Sequence, residues 1–589
     1  MNYYCNPINV DYLYQFRKSP SGDKARIHRT AADASLILFK GRYYVFATSI
    51  HGVWVSDDLV NWERHPLPES LPPYPTAPDV RVLNGYVYLC ASGRGRDCDR
   101  YRTKDVLNGP YEKIESTFDY WDPNLFADDD GRVYFYWGSS NVTPIWGVEL
   151  DPETMMPKGE RIALVEAHPD EIGFERFGEN NSRTPKTREE GEALFREMLE
   201  KRGKKEADFS EFEKECAKAT LMDMPYLEGV WVDKYNGKYY LQYAAPGTEF
   251  NVYSDAVYVS DKPLGPYTLA ENNPFSYKPG GYFPGAGHGS TMLDKQENWW
   301  HISTMRISVN DIFERRVGLW PAGFDGDGEL YCNQRYGDWP MSVSGLHEDA
   351  WRDPAWMLLS SGKSASASSF AIGHEPEKAI EEDVQTWWRA GSASRDEWIK
   401  IDLGKVYDVH AVQINFADDE LEIPLPDMSE TQLYTQWKLE ASENGENWFV
   451  VCDKSGAATD LSHDFIVSEE GYRARYFRLG NMSVPYGKSP CISGLRIFGL
   501  GDGKAPKAPA FEVVRTGDLD MDVTIHEQED TVGYNILFGS SEDKLYHSWM
   551  VFRSGTLRVG ALVKGRNYTV RVDAFNENGI TEGKVQKEI

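Results

Sequence analysis

No stretch of this 589-residue chain approaches the ~20 consecutive apolar residues of a membrane-spanning helix, so a membrane is not an expected partner. Cysteine is scarce. The seven present are odd in number and scattered without metal-ligand spacing, so neither a disulfide framework nor a cysteine metal site is implied. Positive charge is short too, with 63 Lys and Arg against 92 Asp and Glu for a net −29, a surface that repels phosphate backbones and excludes nucleic acid as partner. The opening residues, Met1-Asn-Tyr-Tyr-Cys-Asn-Pro-Ile, lack a basic segment followed by an apolar run. No signal peptide is legible and the chain reads as cytoplasmic, although a secreted protein with a trimmed leader would read the same way.

What is abundant is aromatic and repetitive. Aromatics make up 13% of the chain, with 18 Trp and 34 Tyr. That excess suits pleated sheets, and it also suits the flat faces on which sugars stack. Five times before residue 345, a polar residue opens a short apolar strand, a Gly or Asn turn follows, and an aromatic-rich strand returns. The units open at Asp33, Asp79, Asp122, Glu228 and His288, at spacings of 46, 43, 106 and 60 residues. The first two spacings match the ~40–50 residues of a four-stranded propeller blade. Five such units predict a five-bladed β-propeller over residues 1–345, with the five opening side chains converging on its axis. Lys104-Asp-Val-Leu-Asn-Gly-Pro-Tyr111 and Ser260-Asp-Lys-Pro-Leu-Gly-Pro-Tyr267 repeat as outer turns of the second and fourth units. The long third interval holds a Glu-, Lys- and Ala-rich stretch, 187–220, whose Leu194, Phe195, Met198 and Leu199 recur at helical spacing. It predicts a two-helix insertion over one end of the propeller.

Beyond residue 350 the period becomes that of alternating strands, as in Trp398-Ile-Lys-Ile-Asp-Leu-Gly404 and Ala411-Val-Gln-Ile-Asn-Phe416. These predict a β-sandwich over 346–503. Gly501-Asp-Gly-Lys-Ala-Pro-Lys-Ala-Pro509 is a linker by composition, and a last β-unit covers 504–589. The chain is expected to be all-β apart from the insertion.

Crowded carboxyl groups cannot all keep ordinary acidities, because like charge and burial raise the pKa of some. Asp33, Asp122 and Glu228 brought together on a propeller axis would therefore supply both a protonated acid and an ionised base. That pairing suits hydrolysis of a glycosidic bond. Asp128, Asp129 and Asp130, before Gly131, read as turn residues and receive no such role.

The blocks Ala32-Asp-Ala-Ser-Leu, Asp122-Pro-Asn-Leu-Phe-Ala-Asp-Asp-Asp-Gly and Leu227-Glu-Gly-Val-Trp resemble the three signature blocks of glycoside hydrolase family 43. The resemblance covers roughly residues 20–340. It implies an inverting hydrolase with Asp33 as general base, Asp122 as pKa modulator and orienter, and Glu228 as general acid. Gly287-His288-Gly289 resembles the family's fifth-blade histidine block, which implies an imidazole near the axis that binds water or a calcium ion, or that is simply structural. No cofactor is required by the resemblance. Arg315, which opens Arg315-Arg-Val-Gly-Leu-Trp-Pro-Ala-Gly-Phe324, resembles the arginine that reaches sugar hydroxyls, and is favoured over Arg316. Trp121, beside Asp122, reads as a wall of the sugar pocket or as a core aromatic.

The expected partner is an oligosaccharide or polysaccharide of plant type. The expected activity is exo-hydrolysis of a terminal sugar, α-L-arabinofuranose first, with β-xylosidase and β-galactofuranosidase as alternatives on the same triad. A non-catalytic carbohydrate-binding protein is the alternative of another class. Ala379-Ile-Glu-Glu-Asp-Val-Gln-Thr-Trp-Trp-Arg389 and Ser442-Glu-Asn-Gly-Glu-Asn-Trp448 resemble a discoidin-type (coagulation factor 5/8 C-terminal) sandwich, which implies either sugar binding through loops at one end or a prop for the propeller. Tyr568-Thr-Val-Arg-Val-Asp-Ala-Phe-Asn-Glu-Asn-Gly579 resembles the late strands of a fibronectin type III domain, which implies a spacer or docking platform.

Overall fold

The computed structural model describes residues 2–18, 24–74, 76–93, 97–115, 118–419, 422–424 and 433–587, so the outermost residues of the first and last expected units, Met1 and 588–589, lie outside the described set. Five four-stranded antiparallel sheets follow one another, each with its strands in sequence order. Blade I holds Ala32–Phe39, Arg42–Thr48, Val53–Ser56 and Glu63–His65. Blade II runs from Thr76–Leu83 to Glu112–Ile114, and blade III from Asn124–Ala127 to Ile162–Val165. Blade IV runs from Glu228–Tyr235 to Thr268–Leu269, and blade V from Gly287–Leu293 to Leu330–Cys332. The first hairpin of blades I to IV turns on Gly41, Gly85, Gly131 and Gly237, all at φ between 75° and 83°, a region only glycine enters freely.

Aromatic residues pack between blades. Ile37, Phe39, Tyr44 and Phe46 of blade I pack on Val80, Val87 and Leu89 of blade II. Phe126, Tyr134 and Tyr136 of blade III likewise meet Tyr239, Leu241 and Tyr243 of blade IV. Trp54, Trp300 and Trp320 are wholly buried. Each such ring contributes roughly 2–3 kcal/mol by leaving water, and this packing drives the closure of the ring.

The insertion forms two helices, α1 (Arg188–Arg202) and α2 (Glu211–Leu221). Each is opened by a capping box, Thr187 with Glu190 and Ser210 with Glu213. α2 is held to the propeller by Asn141, whose Nδ2 donates to Thr220 Oγ1 at 3.0 Å. The neighbouring Ser140 pairs its backbone with Leu227. The insertion thus packs on the rim of the propeller end that carries Glu228.

A β-sandwich follows, built around Trp398–Phe416 and His463–Ser483. These two long antiparallel strands cross it side by side and bend at register shifts near Asp402 and Val409. Its core includes Trp388, Ile401, Trp437, Leu439, Phe477 and Ile497. The C-terminal unit is a second sandwich. One sheet holds Phe511–Arg515, Met521–Ile525 and Gly555–Val559, and the other holds His547–Val551, Gly533–Gly539, Thr569–Asn576, Gly579–Thr581 and Gln586–Lys587.

The segment read as a linker is not a free tether. Gly501 N–H donates to Glu577 O and Gly503 N–H to Asn578 Oδ1, while Asn576 Nδ2 donates to Lys504 O. The turn at 576–578 supplies polar partners that composition alone does not reveal. No helix among the described residues is long and apolar enough to cross a membrane.

Candidate active site

Each innermost strand breaks its ladder at the same point, where one residue turns left-handed: Asp33 (φ 55°), Ala77 (43°), Asp122 (48°), Gly229 (61°) and His288 (50°). A register shift marks the place in blades I, II, IV and V, and in blade III it lies just ahead of the first strand. Such a bulge re-aims side chains away from the pleat. A left-handed turn leaves its N–H outside the ladder, and each of these five N–H groups is caught by a side chain of the preceding blade. Asp33 donates to Thr304 Oγ1 (3.1 Å), Ala77 to Thr48 Oγ1 (2.8 Å) and Asp122 to Ser92 Oγ (2.9 Å). Gly229 donates to Asp122 Oδ2 (3.3 Å) and His288 to Asp255 Oδ1 (2.7 Å). The chain of donors passes through all five blades and returns to blade I, so the ring that closes the propeller also fixes its axial residues.

This register corrects one expectation. Asp79 does not converge with the other opening residues. It lies two positions past the left-handed site, which in blade II is Ala77, and its carboxylate accepts from Leu125 N–H and Asn124 Nδ2, both at 2.8 Å. It ties blade II to blade III, as Ser35 ties blade I to blade II by accepting from Val80 N–H. Glu228 is offset the other way. It precedes the left-handed Gly229, in register with Trp121. Gly229 is required there, because a Cβ would sit 2.5 Å from His288 Cγ.

Asp33, Asp122 and Glu228 come together around His288. The His288 Nδ1 lies 3.3 Å from Asp33 Oδ1 and 3.8 Å from Asp122 Oδ2. Asp33 and Asp122 are only 6% and 4% exposed. Burial works against ionisation of Asp33, but Arg315, His288 and a hydrogen bond from Thr48 Oγ1 (2.7 Å) outweigh it and hold its carboxyl below the ordinary range. Asp122 goes the other way. Burial, with Glu228 and Asp33 adding to it against His288, pushes it up to about 7. Burial opposes the charge on His288, yet Asp33, Asp122, Glu228 and Asp255 raise its pKa above the usual imidazole value. The result is an Asp33 that favours its ionised form, a His288 whose protonated form is favoured by the carboxylates around it, and an Asp122 poised to exchange its proton near neutrality.

Glu228 is oriented by two donors, Tyr253 Oη at 2.6 Å on Oε1 and Ser139 Oγ at 3.1 Å on Oε2. Arg315 Nη1 lies 3.5 Å from Asp33 Oδ1. Its neighbour Arg316 turns away, donating from Nε to His463 Nε2 of the first sandwich at 2.7 Å. Trp121 is half-buried next to Asp122.

The residues around His288 do not fit direct ligation of calcium, which takes six to eight oxygens. Its Nδ1 faces carboxylates, and the Asp255 oxygens already accept from the His288 and Gly289 N–H groups, with His301 Nε2 at 2.9 Å. Among the described residues no group of three or more His, Cys, Asp or Glu side chains is arranged to hold a metal ion.

Sequence reading missed Thr48, Ser92 and Thr304. A signal existed: Thr48 and Ser92 are hydroxyl residues that close the second strand of their blades, and Thr304 lies two residues before the end of that strand in blade V. Tyr253 and Ser139 come from loops outside the repeat and left no comparable trace.

Comparison with known proteins follows the same division of the chain. Residues 27–196 and 177–330 match the sequence family described as glycosyl hydrolases family 43. Residues 364–493 match the F5/8 type C domain. The chain is 27% identical over 230 residues to a xylosidase/arabinosidase 43A of Humicola insolens, covering 37% of this chain and 61% of that one. It is 30% identical over 151 residues to a β-xylosidase of Xylanibacter ruminicola, covering 25% and 39%. The chain therefore spans less than two thirds of the length of either relative. A solved structure titled glycoside hydrolase superposes with a TM-score of 0.43 at 18% identity, covering 80% of this chain and 97% of that one.

Proposed function

This chain belongs to glycosyl hydrolases family 43 and carries an F5/8 type C domain, and from that premise we propose that it is an inverting exo-glycosidase acting on neutral oligo- or polysaccharides of plant type. The observation that carries the reading is the cluster of three carboxyl groups from three blades, of which Asp33 is held ionised while Asp122 keeps its proton to about pH 7. A protein that only bound sugar would have no use for opposed protonation states at one buried point.

In the proposed reaction a terminal sugar enters the axial pocket against Trp121, with Arg315 and His288 contacting its hydroxyls. Glu228 gives its proton to the glycosidic oxygen as the C–O bond breaks. Asp33 takes a proton from the water that attacks the anomeric carbon from the opposite face. The products are a free sugar of inverted configuration and a shortened chain, and solvent returns the proton from Asp33 to Glu228. Asp122 orients the water and the acid, and its exchangeable proton limits the charge at the site. α-L-Arabinofuranose is the first choice of sugar. Xylose stands next, supported by relatives named xylosidase/arabinosidase and β-xylosidase, with galactofuranose as a further alternative. The C-terminal sandwich, with three strands facing a larger sheet, suits a fibronectin type III-like platform.

The test is release of monosaccharide from arabino- and xylo-oligosaccharides by the wild type and by Glu228→Gln. Loss of the acid is expected to cost roughly 10²–10⁴-fold. Aryl glycosides with good leaving groups, which need little protonation, should lose much less. Equal activity of the two proteins on oligosaccharides would remove Glu228 as the acid.

A further inference from the structure

A cavity of about 620 Å³ opens between blade I and the first sandwich, lined by none of the axial carboxyl cluster. From this cavity we infer that the chain carries a second, non-catalytic saccharide site, assembled jointly by the propeller and the sandwich. Its size lies within the ~300–1,000 Å³ of small-molecule sites. None of its lining residues belongs to the axial cluster. Trp62, Asn61, Asp11 and Arg64 come from the propeller side and Tyr434 from the sandwich, with Tyr14 at the junction.

Trp62 is presented rigidly. It ends the turn Ser56–Trp62, in which Asp58 Oδ1 accepts from Val60 and Asn61 N–H and Ser56 Oγ accepts from Leu59 N–H. Its indole N–H donates to Leu59 O at 3.2 Å, so what it offers the groove is the carbon face of the ring. The sandwich contains the same turn, Ser442–Trp448, with the indole N–H of Trp448 donating to Gly445 O, but there Arg478 covers the ring at 4.5 Å. In blade I the equivalent ring lines a cavity instead.

A preformed aromatic wall needs no ordering when a ligand binds, which favours affinity. Planar polar groups lie beside it: the Asn61 amide and the Asp11–Arg64 ion pair. C–H faces that stack and hydroxyls that bridge planar acceptors and donors are the chemistry of a saccharide. Asp11, Glu63 and Asp460 line the groove against the single cation Arg64 among its lining residues. That balance disfavours an acidic glycan and points to a neutral one.

The joint origin of the site follows from how the domains dock. Strand Lys24–Arg29 of the propeller takes sandwich residues Glu422–Pro424 as a neighbour, and Arg29 is buried against Asp418 and Asp460. The loop end of the sandwich is thereby turned onto the propeller, and the groove is what remains between them.

The choice of ligand rests on the hydrolase reading, and the experiment separates the two. The full chain bearing Glu228→Gln is run in native gels containing debranched arabinan, arabinoxylan or polygalacturonate, with free arabinose and xylose added to fill the axial pocket. Retardation by a neutral polymer is expected, weakened about five-fold or more by Trp62→Ala and by Tyr434→Ala and largely kept by Trp62→Phe. With Glu228 intact, the two alanine variants should turn over aryl glycosides within about two-fold of the parent, since neither side chain touches the triad. Absence of turnover in the parent would sink the hydrolase reading and leave the gel result to be judged alone. No retardation by either neutral polymer, retardation by polygalacturonate only, or full retardation in both alanine variants overturns the second site.

Discussion

At the scale of single residues, the site is a set of charges forced to share one buried place. Asp122 shows the consequence. An acid whose folded pKa lies above its unfolded value costs stability as pH rises between the two. With a folded value of about 7 and an ordinary value of 3.8, Asp122 gives up stability from about pH 4 upward and carries the full cost above pH 7. That cost is at most of order 4 kcal/mol. Asp122→Asn should therefore raise the melting temperature by a few degrees at pH 8, with the gain shrinking toward pH 5. Glycoside hydrolysis should fall at the same time. A melting temperature lowered equally at both pH values would mean that Asp122 is structural and not held at the cost of stability. Asp33, Asp122 and His288 were legible in the sequence because each opens a repeat unit and also occupies the left-handed site. Asp79 opens a repeat as well but sits two residues along the bulge, and no pattern of residue types reveals that offset. Tyr253 and Ser139, which orient Glu228, lie in loops and were illegible.

At the scale of the element, the bulge of the innermost strand is the device that gathers side chains of different blades at one point. It places one left-handed residue per blade on the axis and hands each N–H to the blade before it. Blade IV is the strictest case, because Gly229 must both adopt φ 61° and leave room for the His288 ring. Gly229→Ala is expected to strain the backbone by about 1–2 kcal/mol and to displace the imidazole, lowering activity about 100-fold or more with a modest fall in melting temperature. Wild-type kcat/KM in that variant would show that the imidazole position is not critical. The helical insertion was legible for local reasons: Leu194, Phe195, Met198 and Leu199 recur at helical spacing, and all lie within α1. Its docking on Asn141 was not, since 75 and 79 residues separate Asn141 from its two partners in α2.

At the scale of the whole molecule, the sandwiches are fastened to the propeller by buried polar contacts. Arg496 of the first sandwich is wholly enclosed. It donates to Glu382 at 2.8 Å and to the backbone oxygen of Asp338 at 2.7 Å, and Asp338 in turn pairs with Lys278. The C-terminal unit holds the segment before the insertion, through Gly173 N–H on Leu562 O and Arg176 on Asp520. That segment carries Glu179, which accepts from Arg306 of blade V at 2.9 Å. Such long-range pairings leave no periodic trace in a sequence, whereas the strands they join do. In the proposed reading Asp33 is the base and Glu228 the acid on one axis, and the stereochemistry of the reaction tests that reading most directly. The wild type is incubated with short arabino- and xylo-oligosaccharides in buffer containing methanol, and the products are separated. An inverting enzyme has no covalent intermediate for methanol to intercept, so free sugar alone is expected, with its release lost in Glu228→Gln. Formation of a methyl glycoside, or release that persists in the variant, would contradict the assignment of Asp33 and Glu228 as base and acid.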